Sequence, residues 1–288
     1  MAKKSMPAKA LRLGAAALTV GSMMIAAAPA GAEEWSDTSI GWRYGTQFHE
    51  PFNNNNITKN ILDLQHAGGY KYGKQFFNVD FLMSNSKDPA SGNANAGAQE
   101  VYAVYRNTVS MSKITGGTYK LGPIRDIGGT FGFDINTKND GYGSRKRMEV
   151  AGPTLMFDVP GFLDTSILVL NESNAPNGIQ GRYTYQTHYM LDVAWGIALG
   201  DSPFNFQGYF DYIGAKGLNE FGGATKPEIH TDFAVMMDVG RVMGGPKGTF
   251  KVGLEYEYWK NKFGNDASVP GDSGALAKTP MIRAEYHF

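Results

Sequence analysis

The strongest constraint in this chain is an alternation of apolar and polar residues, kept up over segments long enough to cross a bilayer. In the clearest segment Tyr183, Tyr185, Thr187, Tyr189, Leu191, Val193, Trp195, Ile197 and Leu199 share one face. Gln186, His188, Met190, Asp192, Ala194, Gly196 and Ala198 share the other. Side chains alternate across a strand but recur at three and four residues on a helix, so this spacing specifies strands. The rhythm repeats in Phe250, Val252, Leu254, Tyr256 and Tyr258 against Lys251, Gly253, Glu255, Glu257 and Trp259. It repeats again in Ile282, Ala284, Tyr286 and Phe288 against Arg283, Glu285 and His287.

Strands are expected near 38–48, 57–66, 71–84, 99–111, 120–135, 147–159, 164–172, 182–200, 203–213, 228–243, 248–260 and 278–288. The fifth and seventh alternate weakly. The fold class is all-β, an antiparallel transmembrane barrel of about twelve strands, an even number as single-chain outer-membrane barrels have. Connections at one end, His49–Asn56, Asn85–Ala98, Asn136–Lys146, Asn171–Gly181, Gly214–Pro227 and Asn261–Ala277, are long and rich in Asn, Gly, Ser and Lys. Those at the other end, such as Ser112–Gly117, Pro160–Phe162, Gly200–Ser202 and Gly244–Pro246, are tight, matching extracellular loops and periplasmic turns.

The N-terminus carries Lys3, Lys4, Lys9 and Arg12, then an apolar run from Leu13 to Ala28 and a small-x-small Ala30-Gly31-Ala32. This is the three-part pattern of a cleaved secretory signal, so residues 1–32 are expected to be removed and 33–288 to form one barrel. The remainder holds 23 basic and 27 acidic residues, which argues against a nucleic-acid binder. With no Cys, a disulfide framework, a thiolate zinc site and a Cys nucleophile are all excluded.

A soluble barrel would bury the apolar stripe inside. Strand length, aromatics near strand ends (Trp42, Tyr44, Tyr183, Tyr185, Phe204, Phe206, Tyr256, Tyr258) and a terminal Phe288 in register with the apolar face point instead to lipid outside. In lipid only a closed barrel satisfies every backbone group. The alternate residues then face a lumen. Its expected solute-contacting wall is Arg43, Tyr72, Phe76, Asp80, Tyr102, Arg106, Asp192, Tyr209, Asp211, Asp238, Glu255, Glu257 and Arg283, with Gln47 and Asp158 also inward. Tyr72, Phe76, Tyr102, Tyr209 and Trp259 suit stacking on a flat solute, and the carboxylates suit sugar hydroxyls.

The segment Ile40-Gly41-Trp42-Arg43-Tyr44-Gly45-Thr46-Gln47-Phe48-His49-Glu50-Pro51-Phe52, followed by Ile57-Thr58-Lys59-Asn60-Ile61, resembles the start of Tsx-like nucleoside-specific outer-membrane channels. So do the aromatic-rich strand from Tyr70 to Met83 with its Gly/Asn-rich loop, and the terminal Tyr286-His287-Phe288. The resemblance implies a narrow, monomeric twelve-stranded channel that passes nucleosides and deoxynucleosides.

The expectation is therefore a passive outer-membrane channel for small polar, nucleoside-like solutes. Its partners would be membrane lipid and the assembly machinery that reads the strand ending in Phe288, with neither cofactor nor metal nor nucleic acid. Two alternatives stand beside it: a structural or adhesive barrel shut by its own ion pairs, and a barrel hydrolase using His188 or His230 with an Asp. Gly271-Asp272-Ser273-Gly274 copies a serine-protease nucleophile motif, but it falls in an expected loop without the His context. Asp134-x-Asn136 near Asp140-Gly141 approaches a calcium loop, but Lys138 breaks the ligand spacing and the bidentate Glu is missing. The five His residues form no i, i+4 pair.

Overall fold

The computed structural model describes residues 33–269 and 273–288. The proposed signal segment 1–32 and the Gly271-Asp272 part of the discounted motif lie outside the described residues. Twelve long strands form the wall: β1 (Trp35–Glu50), β2 (Asn53–Tyr70), β3 (Gly73–Ser84), β4 (Gln99–Ser110), β5 (Ile124–Lys138), β6 (Arg147–Phe157), β7 (Gly161–Asn174), β8 (His188–Ala198), β9 (Phe204–Ile213), β10 (Glu228–Asp238), β11 (Phe250–Lys260) and β12 (Leu276–His287). Each pairs antiparallel with its chain neighbours, and β12 pairs back onto β1, so the sheet closes and leaves no wall strand unpaired. Among the described residues no helix is long and apolar enough to cross a membrane.

Outward positions are apolar and exposed along the whole circumference: Leu62 and Leu64 on β2, Phe131, Phe133 and Ile135 on β5, Ile167 and Val169 on β7, Leu254 on β11, Ile282 on β12. Arg43, Asp63, Asp134, Asp164, Glu255, Arg283 and Glu285 are buried inside. A protein folding in water does the reverse, burying apolar side chains and leaving charges wet. The fold is that of a barrel whose solvent on the outside is hydrocarbon.

Four expectations are corrected. The first connection at the long-loop end is a two-residue turn, Pro51–Phe52, because β1 and β2 stay paired as far as Glu50 and Asn53. Two connections at the other end are longer than tight turns. Each holds a five-residue helix, α1 (Met111–Thr115) and α2 (Val239–Met243), capped by the side chains of Ser110 and Asp238 and stopped by Gly116 and Gly244 in the left-handed region. Gln47 does not face the lumen. A register shift between Gly45 and Phe48 turns Gln47 outward and buries Phe48. Asp158 sits in the 158–160 turn, exposed and bonded to Lys120 at 2.8 Å rather than in the wall.

Candidate functional site: the charged lumen

The middle of the bore is built around two arginines that lie directly opposite each other in the β1–β12 register, Arg43 and Arg283. Like charges at paired positions repel. Glu255 on β11 separates them, one oxygen 3.4 Å from Arg43 Nη1 and the other 2.9 Å from Arg283 Nη1. Arg43 also binds Asp80 on β3, and its Nε is 3.5 Å from Asp63 on β2. Arg283 Nε is 2.6 Å from Glu285. Further round the wall, next to β3, Arg106 of β4 binds Asp134 of β5, which also accepts a hydrogen bond from the Tyr102 hydroxyl at 3.0 Å.

A second charged layer lies toward the long loops, and lysines from those loops reach into it. Glu50, at the end of β1, has Lys59 at 2.6 Å, Lys262 at 3.4 Å and Lys138 at 3.5 Å. Lys138 also binds Asp88 and Asp140, both at 3.0 Å. Glu172 on β7 takes Lys216 at 2.9 Å, with Lys146 at 4.0 Å and the His188 Nε2 at 3.6 Å. Lys216 and Lys262, both loop residues, are almost fully buried. Between the two charged layers the inward face turns apolar in two clusters, Met148, Val150, Leu168, Leu170 and Met190 on one side and Phe48, Ile57, Ile61 and Met281 on the other. Toward the short-turn end a strut crosses the bore, Lys74 of β3 to Asp164 of β7 at 2.6 Å.

Of the residues singled out from sequence, Arg43, Phe76, Asp80, Tyr102, Arg106, Asp192, Tyr209, Asp211, Asp238, Glu255, Glu257 and Arg283 all occupy inward register positions. Arg43, Asp80, Glu255 and Arg283 converge on one cluster. Asp192 and Asp211 oppose each other across β8 and β9. Tyr209 and Glu257 meet at His230, whose ring stacks on Trp259 at 3.8 Å and 11°. Asp238 stands apart, capping α2 at the short-turn rim through the backbone of Arg241 and Gly248. Tyr72 is corrected: it lies in the Lys71–Tyr72 turn, exposed, with Lys71 Nζ 5.1 Å from its ring.

Sequence reasoning missed Asp63, Asp134, Asp164, Lys59 and the Glu50 and Glu172 hubs. Asp63 between Leu62 and Leu64, and Asp134 between Phe133 and Ile135, did carry a signal, since an acid flanked by lipid-facing residues is itself inward. The loop lysines carried none, because strand periodicity says nothing of where a loop folds. Outside the wall, Tyr142 and Tyr185 from two loops donate to Glu220 of a third, and burial with that bond raises the Tyr142 hydroxyl well above its ordinary range.

No protein-family profile matches the sequence, and no curated protein matches it. Solved barrels resemble it in structure. An outer membrane channel from Pseudomonas putida F1 is 12% identical over 91% of this chain and 97% of its own, with a TM-score of 0.47. The KdgM porin is 10% identical over 87% of this chain and 99% of its own, TM-score 0.44. The NanC porin is 11% identical over 88% and 99%, TM-score 0.42. At such identities and TM-scores the likenesses assign neither family nor cargo.

Proposed function

We propose that this chain is an outer-membrane channel for the passive diffusion of small polar solutes, exported by a signal that is then removed. The observation that carries the proposal is solvent-accessible surface on inward side chains of an inverted barrel. Phe76 and Phe162 occupy inward positions yet are 37% and 39% exposed, whereas inward Leu168 is 0% exposed. The short-turn half of the lumen is therefore open to solvent, as the mouth of a narrow conduit requires.

The cargo we infer is nucleoside-like and uncharged or cationic. Inward carboxylates outnumber inward bases, so a polyanion meets repulsion, whereas hydroxyls and ring nitrogens find acceptors and guanidinium donors. Trp259 is covered by His230 on one face, and Lys262 lies 4.7 Å from its ring. The aromatic surface left for a flat solute includes Phe76, Phe162 and Tyr209. The C-terminal strand, ending in exposed Phe288, is the segment we assign to the assembly machinery.

Single-channel recording in planar bilayers tests this. Small ohmic steps that adenosine or thymidine lowers in a concentration-dependent way are expected. Conductance untouched by any nucleoside removes the cargo assignment but leaves the channel. The second reading, a shut structural barrel, draws on the Lys74–Asp164 strut across the bore, and complete absence of conductance selects it. The hydrolase alternative has less to stand on: His188 bonds the Gln186 carbonyl and faces Glu172, and His230 is held between Tyr209, Glu257 and Trp259.

A further inference from the structure

The two long connections at the short-turn end, residues 111–123 and 239–249, expose apolar side chains that no other described residues cover. Leu121 is 74% and Met243 80% exposed, and Ile114 and Val242 are about half exposed. Both connections continue directly from the lipid-facing surface. Val109 and Ile127 flank the first in outward register, and Met237 and Phe250 flank the second. The two connections carry Lys113, Lys120, Arg241 and Lys247 and no acid, and Lys247 and the adjoining Arg125 are exposed and make no salt bridge among the described residues. An apolar edge interleaved with free cations, continuous with a hydrocarbon-facing band, has the chemistry of a bilayer headgroup layer.

We propose that these connections lie in the headgroup layer of the leaflet at the short-turn end and bind anionic phospholipid. Leu121 and Met243 enter the acyl boundary while Arg125 and Lys247 meet phosphates. The inference rests on the barrel being membrane-embedded, and its test separates the two.

The chain has no Cys, so single-cysteine variants label cleanly. Nitroxide is attached in turn to Leu121→Cys, Met243→Cys, the mid-belt control Ile167→Cys and the long-loop control Asn95→Cys. The full chain is reconstituted in phosphatidylcholine vesicles with and without phosphatidylglycerol. Power-saturation EPR then compares collisions with oxygen and with a water-soluble nickel chelate. The labels at positions 121 and 243 are expected to meet the chelate severalfold less than the label at 95, with the difference widening when phosphatidylglycerol is present. The Arg125→Gln/Lys247→Gln double variant is expected to abolish that widening. Labels at 121 and 243 as aqueous as the one at 95, with 167 in lipid, overturn the inference alone. A widening that survives the double variant overturns the assignment of the phosphates. An aqueous label at 167 overturns the membrane reading instead.

Discussion

Glu255 is the side chain on which the middle of the lumen turns, because each of its oxygens contacts one of two guanidiniums that register forces to face each other. Glu255→Gln leaves Arg43 and Arg283 opposed without the carboxylate that contacts both, and breaking a buried pair this way costs about 3–5 kcal/mol. Urea unfolding of the folded barrel in lipid is expected to read that loss, whereas Glu149→Gln, facing outward near the long-loop rim, changes stability by only about 0–1 kcal/mol. At the opposite end the Lys120 hydrogen bond holds the Asp158 carboxyl below its ordinary range. Its folded value is depressed, so the tie to Lys120 is present above the unfolded value and is lost as pH falls through the folded one. Carboxyl NMR titration is expected to give a low midpoint for Asp158, returning to the ordinary range in Lys120→Met.

Strands carry the lipid-facing claim, and one substitution per strand tests it. Leu254, outward on β11 and 71% exposed, replaced by Arg is expected to destabilise the embedded barrel by about 2–4 kcal/mol in equilibrium unfolding from vesicles. At this scale most of the architecture was legible: β3, β4, β6, β9, β11 and β12 begin and end within two residues of their periodic segments. The fifth strand, weak in sequence, proves regular once Gly132 and Gly128 are seen as inward positions. The seventh was unreadable for a physical reason. Leu168 and Leu170 are apolar and inward while Ile167 and Val169 are apolar and outward, so no contrast remains. The bulge at Gln47–Phe48 was equally hidden, since an inserted residue inverts the faces of everything beyond it.

For the molecule as a whole, the surplus of inward carboxylates sets the sign of the field in the bore. Reversal potentials across a KCl gradient are expected to report cation preference, and Asp192→Asn/Asp211→Asn is expected to reduce it. The loops are tied down by lysines drawn onto wall glutamates. Lys216→Met, which frees Glu172 and Glu228, is therefore expected to speed protease cleavage within 214–227 while leaving the barrel core resistant. Alternation determined the two faces of most strands, because a period of two is a local property that each strand carries by itself, while strand length and the aromatics near strand ends pointed to the face that meets hydrocarbon. The register in which β12 meets β1, the meeting of Glu255 with two arginines, the Lys74 strut and the loop lysines in the rim were decided only in three dimensions. Those contacts join residues far apart in the chain, and their partners are set by barrel curvature, stagger and loop path, which a sequence pattern does not encode.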